Sequence, residues 1–459
     1  MDRTGGRETG TSVGMGEIIL YNLSGSVCNL YDTVLYAWVA YFYIPPEGLG
    51  KIQYLPLGAM GLILFGGRIL DAVTDPLIGY LSDRTASRWG RRRPYLFLSY
   101  PILLVSFLLI WRPPVQGVAF VNIVFLVVVL FFYYVSYTGV LIPWFALLPE
   151  MSRDNTERVK IAAVGVAIGV VLSLVAGGLS GPIFSRFGAF RMALVFGVMG
   201  FVLSEIGFFG VRERHTHTTP DKETPGFFVT LSRMFGDGQV LSFAVMITFV
   251  QLTYQLLMMN IPYLTTLILN LDEGSSSIIL GEVIGLMALT VPLWYLLLGR
   301  FPKRHVFRRL IVTMIIGFIL SFFVGRYSVG SPLVQAMIII PIAAVPMGGM
   351  FTAVLGIISD LTDYDEIRSG IRREAVYFGI YGIVRKTGWA FSSLILTGIF
   401  ALFGYSPDNP LGVRMIFLVC ACSCLVGLLA FIPYHIGDSM DETRRILEEK
   451  GKGDRAEMF

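Results

Sequence analysis

The chain has 459 residues, a mean hydropathy of +0.69 and 15% charged residues, where an ordinary soluble domain carries about 25%. That balance excludes a water-soluble globular domain, and the apolar residues fall in blocks near the roughly 20 residues that a bilayer-crossing helix needs. The net charge of +4 comes from basic residues gathered in the loops of one side, as counted below, and no nucleic-acid partner is expected.

The first sixteen residues are polar and Gly-rich and read as a tail from which no signal peptide is removed. Helix 1 is expected over about 17–44, helix 2 over about 52–81 and helix 3 over about 94–111. Helix 4 follows over about 118–149, helix 5 over about 161–184 and helix 6 over about 192–211. The longest polar break comes next and holds His215, His217, Pro220 and Pro225; both histidines read as ordinary surface residues. Six more helices begin near Val240, Ser277, Leu310, Leu333, Ala375 and Val413. The expected organisation is a tail (1–16), a six-helix bundle (17–211), a linker (212–237), a second six-helix bundle (238–436) and a tail (437–459). Two bundles of equal count suit a carrier with its site between them.

Of the 36 Lys and Arg, 27 fall in the tails and the even-numbered gaps, whereas 6 fall in the odd-numbered gaps. The positive-inside rule then places both termini in the cytoplasm of a multi-pass protein of the cell (inner) membrane. Cys28, Cys420, Cys422 and Cys424 lie in spans at spacings that form no metal site, and no disulfide is expected there. There is no P-loop and no mid-span His beside an acid, so neither an enzyme, a primary pump nor a cofactor is expected.

The remaining three basic residues, Arg68, Arg385 and Lys386, lie inside spans. Arg68, Asp71 and Asp75 share one face of helix 2. Intramembrane acids are costly and mark ion or substrate pathways. One Arg does not neutralise two carboxylates, so the pair invites a cation or proton; a structural ion network is the alternative. Asn29 and Asp32 share a face of helix 1. Arg385 and Lys386 point about 100° apart, so both cannot line one cavity equally. Gln251, Tyr254 and Gln255 form a polar patch on helix 7, with Asn260 and Tyr263 beyond it. Trp38, Trp144, Phe145 and Trp389 are either sugar-stacking rings or packing residues. In the loops, Asp83 sits within the basic run Arg84, Arg88, Arg91, Arg92 and Arg93. Glu150 with Arg158 after helix 4, and Asp360 with Arg368 after helix 10, echo one another as matching charges.

Gly79-Tyr-Leu-Ser-Asp83-Arg84 and the following arginines resemble the signature of the major facilitator superfamily. Asp71-Ala-Val-Thr-Asp75-Pro76 is similar to the helix-2 motif of its glycoside–pentoside–hexuronide:cation symporter family. Asp360-Leu-Thr-Asp363-Tyr364-Asp-Glu366, then Arg372-Arg373-Glu374 and Lys386, resemble that family's C-terminal motif. The resemblance implies an all-α membrane protein of twelve helices in two six-helix bundles. It implies Asp71 and Asp75 as ligands of Na+ or H+, completed by Thr74 and Thr138, with Lys386 linking cation and substrate regions. It puts Phe351 beside the substrate, and makes Asp83, Arg84, Arg88, Glu150, Arg158, Asp360 and Arg368 a cytoplasmic latch. Three positions depart from the melibiose-carrier type: Asn29, Leu141 and Val166 stand where that type has charged sugar grips. The substrate cavity is expected to comprise Asn29, Asp32, Phe145, Tyr254, Gln255, Phe351, Arg385 and Lys386. The expected activity is cation-coupled symport of a sugar, glycoside or hexuronide by a monomer. A carrier of an amphiphile, lysolipid or other organic anion is one alternative, and a non-transporting membrane sensor is another.

Overall fold

The computed structural model describes residues 13–85, 87–152, 154–210, 236–328, 330–370, 373–437 and 442–445. Most of the expected linker (212–235), residues 1–12 of the first tail and most of the second tail lie outside the described residues, as do His215, His217 and Arg372.

The first half contains α1 (Met15–Tyr43), α2 (Leu57–Arg84), α3 (Arg93–Ile110), α4 (Phe120–Met151), α5 (Asn155–Phe187) and α6 (Ala189–Gly210). The second contains α7 (Gly238–Leu267), α8 (Glu273–Leu298), α9 (Lys303–Phe322), α10 (Pro332–Ser369), α11 (Glu374–Phe403) and α12 (Leu411–Phe431). Eleven of these helices are long and apolar enough to cross a membrane. The exception, α1, has 29 residues but carries Asn22, Asn29 and Asp32, and it is buried along most of its length among α5, α6, α4 and α7.

Local chemistry sets the helix ends. Asp154 accepts a hydrogen bond from the Thr156 amide at the start of α5, and Asp237 accepts one from the Gln239 amide at the start of α7, satisfying donors that have no partner inside a helix. Gly370, at φ +72°, closes α10 and donates to the Glu366 carbonyl. α8 bends at Thr290, whose hydroxyl folds back on the Leu286 and Met287 carbonyls before Pro292 removes a donor.

Two boundaries differ from the sequence expectation. α9 starts two turns before Leu310, because Lys303, Arg304, Arg308 and Arg309 are good helix formers and a helix need not begin in the hydrocarbon. α10 runs through Asp360 and Arg368 to Ser369. Ion pairs with Lys303 and Asp237 hold those acidic and basic turns.

The halves meet along α2 with α11, α5 with α8 and α1 with α7. On the side away from the basic loops the contact is tight. Tyr263 Oη donates to the Ile44 carbonyl at 2.9 Å, Tyr41 donates to Glu273 at 3.1 Å and Lys51 pairs with Glu273. Ser277 accepts from the Gly181 amide at 2.8 Å, and Ser393 donates to the Gly61 carbonyl at 3.1 Å. Asp272, hydrogen-bonded first of all by the Ser275 hydroxyl, is held below the usual carboxylate range at this end. At the basic end the ion pairs among the described residues stay within one half. Arg91 and Arg92 hold Glu150, Arg92 also holds Asp83, Lys303 grips Asp360, and Arg368 pairs with Asp237. The polar contacts that join the halves among the described residues therefore gather at the end away from the basic loops.

Candidate cation and substrate site

The site forms where α2, α4 and α1 of the first half meet α11 of the second. Asp71 is fully buried. Its Oδ2 accepts from Arg68 Nη1 at 3.1 Å and its Oδ1 from Thr138 Oγ1 at 3.0 Å; Lys386 Nζ lies 3.0 Å from that Oδ1 as an ion pair and donates to the Asp71 backbone carbonyl at 3.2 Å. Asp75, one turn along the same face, accepts from Lys386 at 2.6 Å and from Thr138 at 3.3 Å. Thr74 Oγ1 lies 3.1 Å from Thr138 Oγ1. The Thr138 hydroxyl has one proton and three acceptors within reach, so it serves one acceptor as donor and offers its lone pairs to whatever sits between the others. Two carboxylates and two hydroxyls thus converge, an oxygen set suited to a hard cation.

Asp32 joins this cluster from α1. It lies 3.4 Å from Arg68 Nη2 and accepts from Tyr137 Oη at 2.7 Å. The Arg68 guanidinium is stacked 4.2 Å from the Tyr36 ring centroid and 4.7 Å from that of Trp389; Tyr36 and Tyr134 share a short hydroxyl hydrogen bond. In direct contact, then, three carboxylates meet two cations, Arg68 and Lys386, and one carboxylate charge goes unmatched.

The expected cation residues Asp71, Asp75, Thr74 and Thr138 are all brought together. Lys386, expected to link the cation and substrate regions, is buried on the carboxylate pair, where it meets the charge that Arg68 leaves over. Arg385 points elsewhere, over Tyr381 and Trp389. Asn29 is exposed on α1, its amide near Gly169 of α5. Tyr254 packs edge-on to Phe351 with ring centroids 5.4 Å apart and lies within electrostatic range of Asp32. Gln255 is buried, and its Nε2 has no hydrogen-bond partner among the described residues. Gln251 holds Trp389 Nε1 at 3.2 Å and Tyr381 Oη at 3.4 Å.

Other residues of the sequence reading do different work. Asn260 is tied to the Val413 carbonyl and Tyr263 to the clasped end. Trp38 stacks on Phe184 and Trp144 bonds the Tyr21 carbonyl, so both are packing residues. Phe145 is 53% exposed on the α4 face that carries Thr138 two turns earlier. Of the latch residues, Asp83, Glu150, Asp360 and Arg368 make interhelical ion pairs. Arg84 lies over Tyr80, Arg88 is exposed, and Arg158 donates to the Ser152 and Pro149 carbonyls, so these three stand outside that network. Trp389, weighed in the sequence as a stacking or packing ring, lies over Arg68 and Arg385, and Tyr36, Tyr134 and Tyr137 were not legible as site residues. Their signal was there in part: Tyr134 and Tyr137 sit one turn and one residue before Thr138.

A family model described as MFS/sugar transport protein matches residues 20–438. The glucuronide carrier protein homolog of Escherichia coli (strain K12) is 24% identical, over 90% of this chain and 90% of that one. The sodium-dependent lysophosphatidylcholine symporter 1 of Gallus gallus is 24% identical, over 86% of this chain and 82% of its own length. Among solved structures, the D-xylose-proton symporter superposes with a TM-score of 0.66 at 13% identity, covering 93% of this chain and 99% of that one.

Proposed function

The chain belongs to the MFS/sugar transport protein family, within the glycoside–pentoside–hexuronide:cation symporters, and from that premise we propose that it carries a sugar or glycoside together with one monovalent cation by alternating access. The observation that carries the reading is the buried pair Asp71 and Asp75, met by the Thr74 and Thr138 hydroxyls and by Lys386 from the other half. A cation entering between the carboxylates competes with the Lys386 ammonium. Its arrival frees a contact that ties α2 to α11, which is how occupancy of the ion site reaches the interface between the halves. The same oxygens accept a proton in place of Na+.

The clasp near Tyr263 and Glu273 supports a carrier closed at that end, with the basic loops at the other. Excess Lys and Arg in those loops makes theirs the cytoplasmic side, with both termini there, in the cell membrane. In the opposite state Asp83, Glu150, Asp360 and Arg368 are the charges available to draw the cytoplasmic ends together. The carrier is complete as a monomer, since the site lies between its own halves.

An amphiphile is the second reading. Val166, 65% exposed, lies on the arc of α5 between the residues that meet α1 and those that meet α8, and with Phe145 it offers apolar surface. The test of both is uptake into proteoliposomes under an imposed Na+ gradient or, separately, a pH gradient. Labelled glycosides are expected to accumulate under one of the gradients. Accumulation of a lysophospholipid in their place supports the second reading, and no gradient-driven uptake of either class overturns the symport assignment.

A further inference from the structure

Arg385 differs from the other two intramembrane cations in what surrounds it. Arg68 has Asp32 and Asp71, and Lys386 has Asp71 and Asp75. Among the described residues no carboxylate lies within ion-pair distance of Arg385, although Asp32 acts on it through space. Its Nε is buried without an acceptor. The side chain as a whole is only partly buried, so its outer nitrogens are the part left for a ligand.

Its position is fixed by aromatic rings. The guanidinium carbon stands 4.8 Å from the Trp389 centroid and 5.8 Å from that of Tyr381. Both rings are in turn held by one amide, Gln251 of α7, which accepts from Trp389 and donates to Tyr381. Trp389 also carries Arg68, the cation of the ion site. Cation–π contact offsets part of the cost of an unpaired charge in a low-dielectric setting. It does not replace a counter-ion. A guanidinium set over two aromatic rings, with no acid paired to it among the described residues, matches a planar or branched oxyanion in two-pronged fashion.

We infer that Arg385, positioned by Trp389, Tyr381 and Gln251, is the anion grip of the substrate site and selects glycosides bearing a carboxylate or sulfonate. The inference rests on the symport reading and deepens it. It also moves the acid-selecting role from Lys386, which the ion pair engages, to its neighbour.

The probes are 4-nitrophenyl glucuronides and the matching 4-nitrophenyl glucosides, in both anomers, which differ only in carboxylate against hydroxymethyl. Binding to the purified full chain is measured in saturating Na+ at a fixed pH. The wild type is expected to favour the acid, and Arg385→Gln to lower the acid-to-neutral affinity ratio by about tenfold or more, the worth of one charge-assisted contact. Arg385→Lys keeps the charge without the fork and is expected to fall between them. This graded order is one that a merely structural role of Arg385 does not produce, since misfolding lowers both affinities together. An unchanged ratio in Arg385→Gln overturns the inference. So does a wild type that shows no preference for the acid, absence of all binding included. Failure of the symport reading looks different: the acid preference and its loss in Arg385→Gln stand, but no ion gradient drives uptake.

Discussion

Asp71 and Asp75 look equivalent in the sequence and are not equivalent in the structure. Asp71 has no exposed surface and is the joint between Arg68 and Lys386. Asp75 has a quarter of its side chain exposed (25%) and, among the described residues, bonds Lys386 and Thr138. Asp71→Asn leaves two buried cations short of a partner, at a cost of up to about 3–5 kcal/mol, whereas Asp75→Asn unpairs a group already near the cavity. Both substitutions are expected to abolish gradient-driven accumulation, but Asp71→Asn is expected to lower the melting temperature clearly more, as thermal unfolding in detergent will show. With sodium as the coupling ion, Na+ raises the melting temperature of the wild type and leaves that of Asp75→Asn unchanged, because binding to the native state alone stabilises it. If neither Na+ nor Li+ shifts the wild type while uptake follows the pH gradient, the ion is the proton.

Two elements carry predictions of their own. α11 lies against α7 through Gly388, where a Cβ would stand 2.4 Å from the Thr248 carbonyl oxygen. Gly388→Val therefore pushes the helices apart and strains the Trp389–Gln251 bond, at about 1–3 kcal/mol for overpacking; reduced thermal stability, with altered Trp fluorescence, is the expected readout. The clasp at the other end depends on a few polar contacts. Tyr263→Phe removes the bond to Ile44, and Glu273→Gln removes the charge that Lys51 and Tyr41 meet. The double substitution is expected to shift the population toward the state open at that end. Single cysteines placed there should then label faster with a membrane-impermeant reagent, and unchanged labelling would show that the clasp is not the gate.

The helix count was legible because long apolar blocks have few other uses, and the acid pair because a carboxylate in hydrocarbon demands a reason. The partners were not legible. Lys386 and Asp75 are 311 residues apart, and no spacing rule relates two side chains that meet only when the halves dock. For the same reason two adjacent cations could not be told apart: their 100° offset says that they diverge, not which one finds an acid. The charges of the basic end were half legible. Glu150 and Asp360 were seen, while Arg91, Lys303 and Asp237, their partners or those of Arg368, were hidden among many similar surface charges.

Across the whole cluster, Asp32, Asp71 and Asp75 face Arg68, Arg385 and Lys386, three charges of each sign. That tally has an electrical consequence. The empty carrier reorients without moving net charge through the field. So does one loaded with a single cation and a singly acidic glycoside, and the membrane potential then does no work on the cycle. A neutral glycoside with the same cation carries one charge across, and each 100 mV contributes about 2.3 kcal/mol to its accumulation. On a solid-supported membrane the neutral probe is expected to give a sustained current and the acidic probe almost none. A current of equal size for both would mean that a second cation travels with the acid, and the driving force for acidic substrates would be voltage after all.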